Sequence, residues 1–246
     1  MLNIQADDAR AVALVAAIQS GEVEALQRHL HDRPDLATAR VLDRRGVART
    51  LLHIVADWPG HFPDGAQTVA VLVAAGADVN ARVVHPGPHG SPETALHWAA
   101  SSDDVAVLDA LVDGGADIEA AGAVFTGGTP MSDAVVFAQW RAARRLLERG
   151  ATTTIWQAAA LGLLDRVRDF CAIEPAPVRE QITNAFWNAC RGGQQPTADY
   201  LLDHGADLNW VGHDGKTPCD VAQESRDDNL IQWLRARGAR CAAELT

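Results

Sequence analysis

The chain has 246 residues and a formal net charge of −11, with 32 acidic against 21 basic side chains. That balance excludes the basic surface that phosphate binding requires, so neither nucleic acid nor an anionic membrane face is an expected partner. Cys171, Cys190, Cys219 and Cys241 are dispersed without a C-x-x-C pair or other metal-ligand spacing, and they read as free thiols in a reducing compartment.

Ala9–Ile18 and Gly21–Leu30 carry the first two helical patterns, ended by Asp32-Arg33-Pro34-Asp35, where proline blocks continuation. The apolar run Ala11–Ile18 is too short to span a bilayer and lacks the basic flank of a signal peptide, so a cytoplasmic protein is expected. Thr50–His53, T-L-L-H, opens a second pair that closes at Gly76–Asn80, G-A-D-V-N. Between its helices lies an inserted loop, Asp57–Gly65, rich in proline, glycine and aromatic groups. The following connection, Val83–Glu93, is also lengthened. His85 and His89 are spaced there as metal ligands can be, but Pro86 and Pro88 deny the helix that would put both on one face, and no metal is expected.

The third pair, Glu93–Ala120, is the clearest. Thr94 sits where an N-cap belongs, and Ala95, Ala99 and Ala100 let a second helix approach closely. Val105, Leu108, Leu111 and Val112 form an apolar helical stripe ended by Gly115. Neither helix is long enough to stand alone. A fourth pair begins at Thr129 with Pro130 at its first helical position. The fifth, TTIWQAAALGLLDRVRDFC, follows Gly150 without room for a connecting hairpin. The sixth, from Asn184, and the seventh, from Lys216, restore the pattern.

T-A-L-H at Thr94–His97, T-P-M-S at Thr129–Ser132, G-A-D at Gly115–Asp117, G-A-D-L-N at Gly205–Asn209 and D-G-K-T-P at Asp214–Pro218 resemble the signature of the ankyrin repeat, a unit of about 33 residues. The resemblance implies an all-α fold: an ankyrin-repeat solenoid of helix–turn–helix pairs with short or absent β-hairpin fingers. It divides one domain, 1–246, into repeats at 9–40, 46–80, 91–120, 126–151, 152–178, 182–210 and 214–242. It extends to bacterial members of the family. First helices and fingers are expected on the concave face, with His53 and His97 bonded to finger backbone. Trp156 and Trp187 take the same position in later repeats as packed aromatics.

The function so implied is binding of a partner protein or peptide along the concave face by a monomer without cofactor. The acidic charge points to a basic partner. The expected hot spot joins the aromatic loop to the third repeat: Trp58, His61, Phe62, Trp98, Ser101 and Asp133. The alternative is a small-molecule or catalytic pocket at the second-to-third repeat junction. There Asp57 and His61 would form an acid/base pair, Asp103 or Asp104 would orient the imidazole, and Trp58 and Trp98 would supply walls. Closure of 57–65 and 83–93 over one pocket would favour that alternative.

Overall fold

The computed structural model describes residues 2–87, 90–212 and 214–245. His89, one of the two spaced histidines, lies outside the described residues. The chain divides into two compact units, Met1–Ala151 and Thr152–Thr246.

The first unit holds four helix pairs: α1 (Ala9–Ser20) with α2 (Val23–Asp32), α3 (Leu51–Ala56) with α4 (Gly65–Ala74), α5 (Ala95–Ser101) with α6 (Val105–Asp113), and α7 (Pro130–Val136) with α8 (Trp140–Glu148). First helices stack on first helices, α1 on α3, α3 on α5 and α5 on α7; second helices stack likewise. Local chemistry sets the ends. Asp8, Thr50 and Asp104 cap their helices by accepting backbone N–H groups, and Gly21 turns α1 into α2 at φ 73°. Close stacking follows from size, since Ala95, Ala99 and Ala100 are fully buried on α5.

The first connection is a true hairpin, β2 (Arg40–Leu42) with β3 (Ala48–Thr50), and the start of the chain adds a parallel strand, β1 (Asn3–Gln5). Alternation in the sequence did not announce that strand. Ala48 also bridges to Val84, so the next finger continues the ladder. Buried Arg40 donates to the carbonyls of Ala48 and Arg82 and ties the two fingers together.

The second unit holds α9 (Ile155–Ala160) with α10 (Leu164–Ala172), α11 (Arg179–Arg191) with α12 (Gln195–Asp203), and α13 (Pro218–Ser225) with α14 (Asp228–Ala236). α11 begins upstream of residue 182, where the pattern started the sixth repeat, because Val178 and Gln181 provide a cap there: the Gln181 amide accepts the Val178 N–H. Phe186, Cys190, Cys219, Leu230 and Leu234 fill the core of this unit. All four thiols are free; Cys190 and Cys219 are buried, Cys171 and Cys241 half-buried. Among the described residues no helix is long and apolar enough to cross a membrane.

Candidate functional site

The histidines of the T-x-L-H tetrapeptides set the frame. The Nδ1 of His53 meets the Thr50 hydroxyl at 2.7 Å, and its Nε2 meets the Glu93 carbonyl at 3.2 Å. His97 repeats the arrangement with Thr94, at 3.0 Å, and the Gly128 carbonyl, at 3.3 Å. Each imidazole is therefore neutral with its proton on Nε2, clamping the next finger to its own helix. Burial pushes both down to about 4. In the second unit Trp187 takes this role: its indole N–H donates to the Lys216 carbonyl at 2.9 Å. Trp156 packs partly buried against the same core.

The residues expected at the hot spot separate into two places on α5. The inserted loop is held at the C-terminal end of that helix. The His61 N–H donates to Asp104 Oδ2 at 2.7 Å, and its imidazole Nε2 donates to the Ser102 carbonyl at 3.1 Å. A Cβ on Gly60 would stand 3.0 Å from Ser102, and one on Gly21 would stand 2.7 Å from Pro63, so the loop lies against the turns of the pairs on either side. Trp58 points outward, 83% exposed, with its N–H on Asp57, while Phe62 is half-buried in the same loop. The finger Val83–Glu93 instead meets α5 at its N-terminal end, where Glu93 precedes the capping Thr94. Loop and finger thus attach at opposite ends of a helix ~10 Å long.

The acid/base candidates have other partners. Asp57 is paired with Arg49 at 2.6 Å. Asp104 is buried and caps α6, leaving the His61 Nδ1 4.0 Å from its Oδ1. Asp103, at φ 58°, accepts the Ala142 N–H at 2.7 Å. Ser101 donates its hydroxyl back to the Trp98 carbonyl. Among the described residues no group of three or more His, Cys, Asp or Glu side chains is arranged to hold a metal ion.

Trp98 and Asp133 both lie near Glu93, which the sequence pattern passed over. The Trp98 ring stands edge-on to His53, centroids 5.0 Å apart, and it lies near enough to Glu93 to draw that carboxyl's pKa down. Asp133 on α7 is 1% exposed, and the Glu93 charge reaches it. A neighbouring carboxylate disfavours the charged form of a buried carboxyl. Burial, reinforced by the Glu93 charge, pushes Asp133 up to about 8, and burial raises Glu93 as well. The Asp133 Oδ2 has no hydrogen-bond partner among the described residues.

The third finger, residues 121–129, completes this place. It is closed on itself by Gly122 and Ala123 N–H groups donating to the Gly128 carbonyl. The finger folds along α7, so that Phe125 meets Phe137 at the end of that helix, ring centroids 5.8 Å apart. Phe137 lies four residues after Asp133, one turn along the same face. Phe125 is 71% and Phe137 41% exposed, and Val124 beside them is exposed too. An apolar finger sequence, A-V-F, was the only signal of this pair.

Helix pairs stacked first on first and second on second, with imidazoles clamping successive fingers, define an ankyrin-repeat fold. The ankyrin repeat family model matches residues 92–120, the third pair. An ankyrin repeat and KH domain-containing protein of Caenorhabditis briggsae is 31% identical over 189 residues, which is 73% of this chain and 7% of that protein. The chain thus spans a small fraction of the length of that curated relative. The crystal structure of the human ASB11 ankyrin repeat domain is similar in fold, with a TM-score of 0.50 at 21% identity, over 92% of this chain and 98% of that one. The chain is an ankyrin-repeat protein.

Proposed function

We propose that the chain is a protein-interaction module whose grip lies in the first unit, where the third finger crosses α7. Ankyrin repeats generally bind partner proteins. The observation that carries the placement is the exposed Phe125–Phe137 pair, held by backbone hydrogen bonds in a finger folded along a helix. Exposed rings on rigid backbone bury area at little cost in conformational entropy, which is how binding hot spots are built. Asp133 lies one helical turn before Phe137. Trp58, on the loop at the other end of α5, is a second exposed ring for a partner long enough to reach it. A single copy acting on a basic partner in a reducing compartment fits the charge of −11 and the four free thiols.

The test is a selection of displayed random peptides on the wild-type chain, followed by binding to a Phe125→Ala/Phe137→Ala variant. Peptides that share a pattern and lose binding at least tenfold on the variant support the placement. Peptides that bind both proteins equally overturn it.

A further inference from the structure

The second unit carries a chemistry that the aromatic grip does not use. The Cys241 thiol donates to the Cys219 sulfur, with the two Sγ atoms 3.5 Å apart. Cys219 is fully buried in the first turn of α13, and Cys241 is half-buried in the segment after α14. That segment is fastened on both sides of the thiol. The Arg240 N–H donates to Asn209 Oδ1 at 2.7 Å, and the Ala242 N–H donates to Asp220 Oδ2 at 2.9 Å. The same Asp220 oxygen accepts the Thr217 N–H and hydroxyl at the start of α13, so one carboxylate positions the backbone beside each cysteine. The Arg235 guanidinium donates to the Cys241 sulfur at 3.2 Å and is ion-paired with Glu244.

We propose that Cys219 and Cys241 are a redox pair, which a small disulfide such as oxidised glutathione converts to a bond that locks the segment 239–244 onto α13. The proposal is independent of the interaction reading above. Exposure sets the order of steps. The Cys241 thiolate, the reachable one, attacks one sulfur of the small disulfide, forming a mixed disulfide and expelling the first small thiolate. The Cys219 thiolate then attacks the Cys241 Sγ and expels the second. Two cysteine thiols are oxidised, one disulfide is reduced to two thiols, and the cysteine protons end on the products. A disulfide needs its sulfurs ~2.05 Å apart, so these must approach by roughly 1.5 Å. Cys241 lies outside the helices and supplies that movement, while α13 holds Cys219.

The other two thiols are placed less well. Cys190 is fully buried on α11, out of an oxidant's reach, and Cys171 lies on α10. Burial, with Cys219 and Asp220 alongside, pushes the Cys241 thiol up to about 12, while the guanidinium on its sulfur favours the thiolate. A small thiolate fraction makes the exchange slow, so the bond records sustained rather than brief oxidation.

The experiment incubates the full chain with oxidised glutathione at pH 8 for about a day, blocks free thiols by alkylation, and maps the peptides by mass spectrometry. The expected product has lost about 2 Da and contains a Cys219–Cys241 crosslink. Hydrogen exchange at the Cys241 and Ala242 amides should then slow at least about tenfold relative to the reduced chain. Cys219→Ala should stop at the mixed disulfide, a gain of about 305 Da on Cys241. Cys241→Ser should abolish the crosslink, and Cys171→Ser should leave it intact; circular dichroism checks that each variant folds. Wild type that forms no Cys219–Cys241 crosslink, pairs through Cys190 or Cys171, or retains glutathione on Cys241 would overturn the proposal. So would a crosslinked chain whose amides exchange like those of the reduced one.

Discussion

The two units use one repeat in different ways. In the first, imidazoles at positions 53 and 97 bond finger carbonyls, fingers are long, and exposed rings and buried carboxyls collect beside them. In the second, Trp187 makes the equivalent bond through its indole, and its large exposed apolar groups are the aliphatic Ile173, Val178 and Val211. In the second, third and sixth pairs this position carries an N–H donor on a ring, which histidine and tryptophan both supply. Histidine adds a titratable group, and so the clamps at positions 53 and 97 carry acid sensitivity that the Trp187 clamp lacks.

The largest expected effect tests whether the second unit depends on one side chain. Phe186 is fully buried at the centre of its core, and Phe186→Ala should cost ~3–5 kcal/mol in a denaturant titration. A cost under ~1 kcal/mol would mean that the core collapses around the cavity.

Next comes pH. His53 and His97, lowered to about 4, take up protons in the unfolded chain near pH 6.5 but in the folded chain only near pH 4. Stability is therefore lost as pH falls through that window. Asp133, raised to about 8, has the opposite sign: the folded chain keeps a proton the unfolded chain has given up above its ordinary 3.8, so stability falls as pH rises from about 4 to about 8. Glu93 and Asp57, also raised by burial, bend the curve the same way. With Asp133 alone opposing the two histidines, the net loss between pH 6.5 and 4 is ~3 kcal/mol, with an optimum near neutrality. Chemical denaturation at stepped pH should trace that optimum, and Asp133→Asn should flatten its alkaline side. A curve unchanged by Asp133→Asn would show that Asp133 does not hold its proton toward pH 8.

A smaller effect sharpens the equivalence of the clamps. Trp187→Phe keeps a ring but removes one of the two donors to the Lys216 carbonyl, the Gly212 N–H remaining, at a cost of ~0.5–1.5 kcal/mol. If thermal melts show no loss, the indole is there for packing and the comparison with His97 fails. Smallest of all for stability, Phe125→Ala should shift the melting midpoint by under ~0.5 kcal/mol equivalent, because the ring is already in water.

The helix pairs were legible because each signal is local: an N-cap threonine, an apolar stripe, a glycine at the turn. The clamps were legible for the same reason, since Thr94 and His97 are three residues apart. Glu93 was not. Its nearness to Asp133 depends on how closely α5 and α7 pack, which no short pattern records. Asp57 and His61 invited an acid/base reading as neighbours in sequence, yet Arg49 engages one and the α5–α6 turn holds the other. Phe125 was hidden by its setting, because a finger tip reads as solvated loop until its fold along α7 is known.

The inserted loop has a consequence for how the first unit comes apart. A repeat array normally couples each unit only to its nearest neighbours, so it can fray from an end one unit at a time. Here Pro63 sits against Gly21 in the first pair while His61 bonds Ser102 and Asp104 in the third. A segment of the second pair thus fastens the first to the third. Hydrogen exchange should find these three pairs opening together, a cooperative block where the repeat pattern alone would give a graded series.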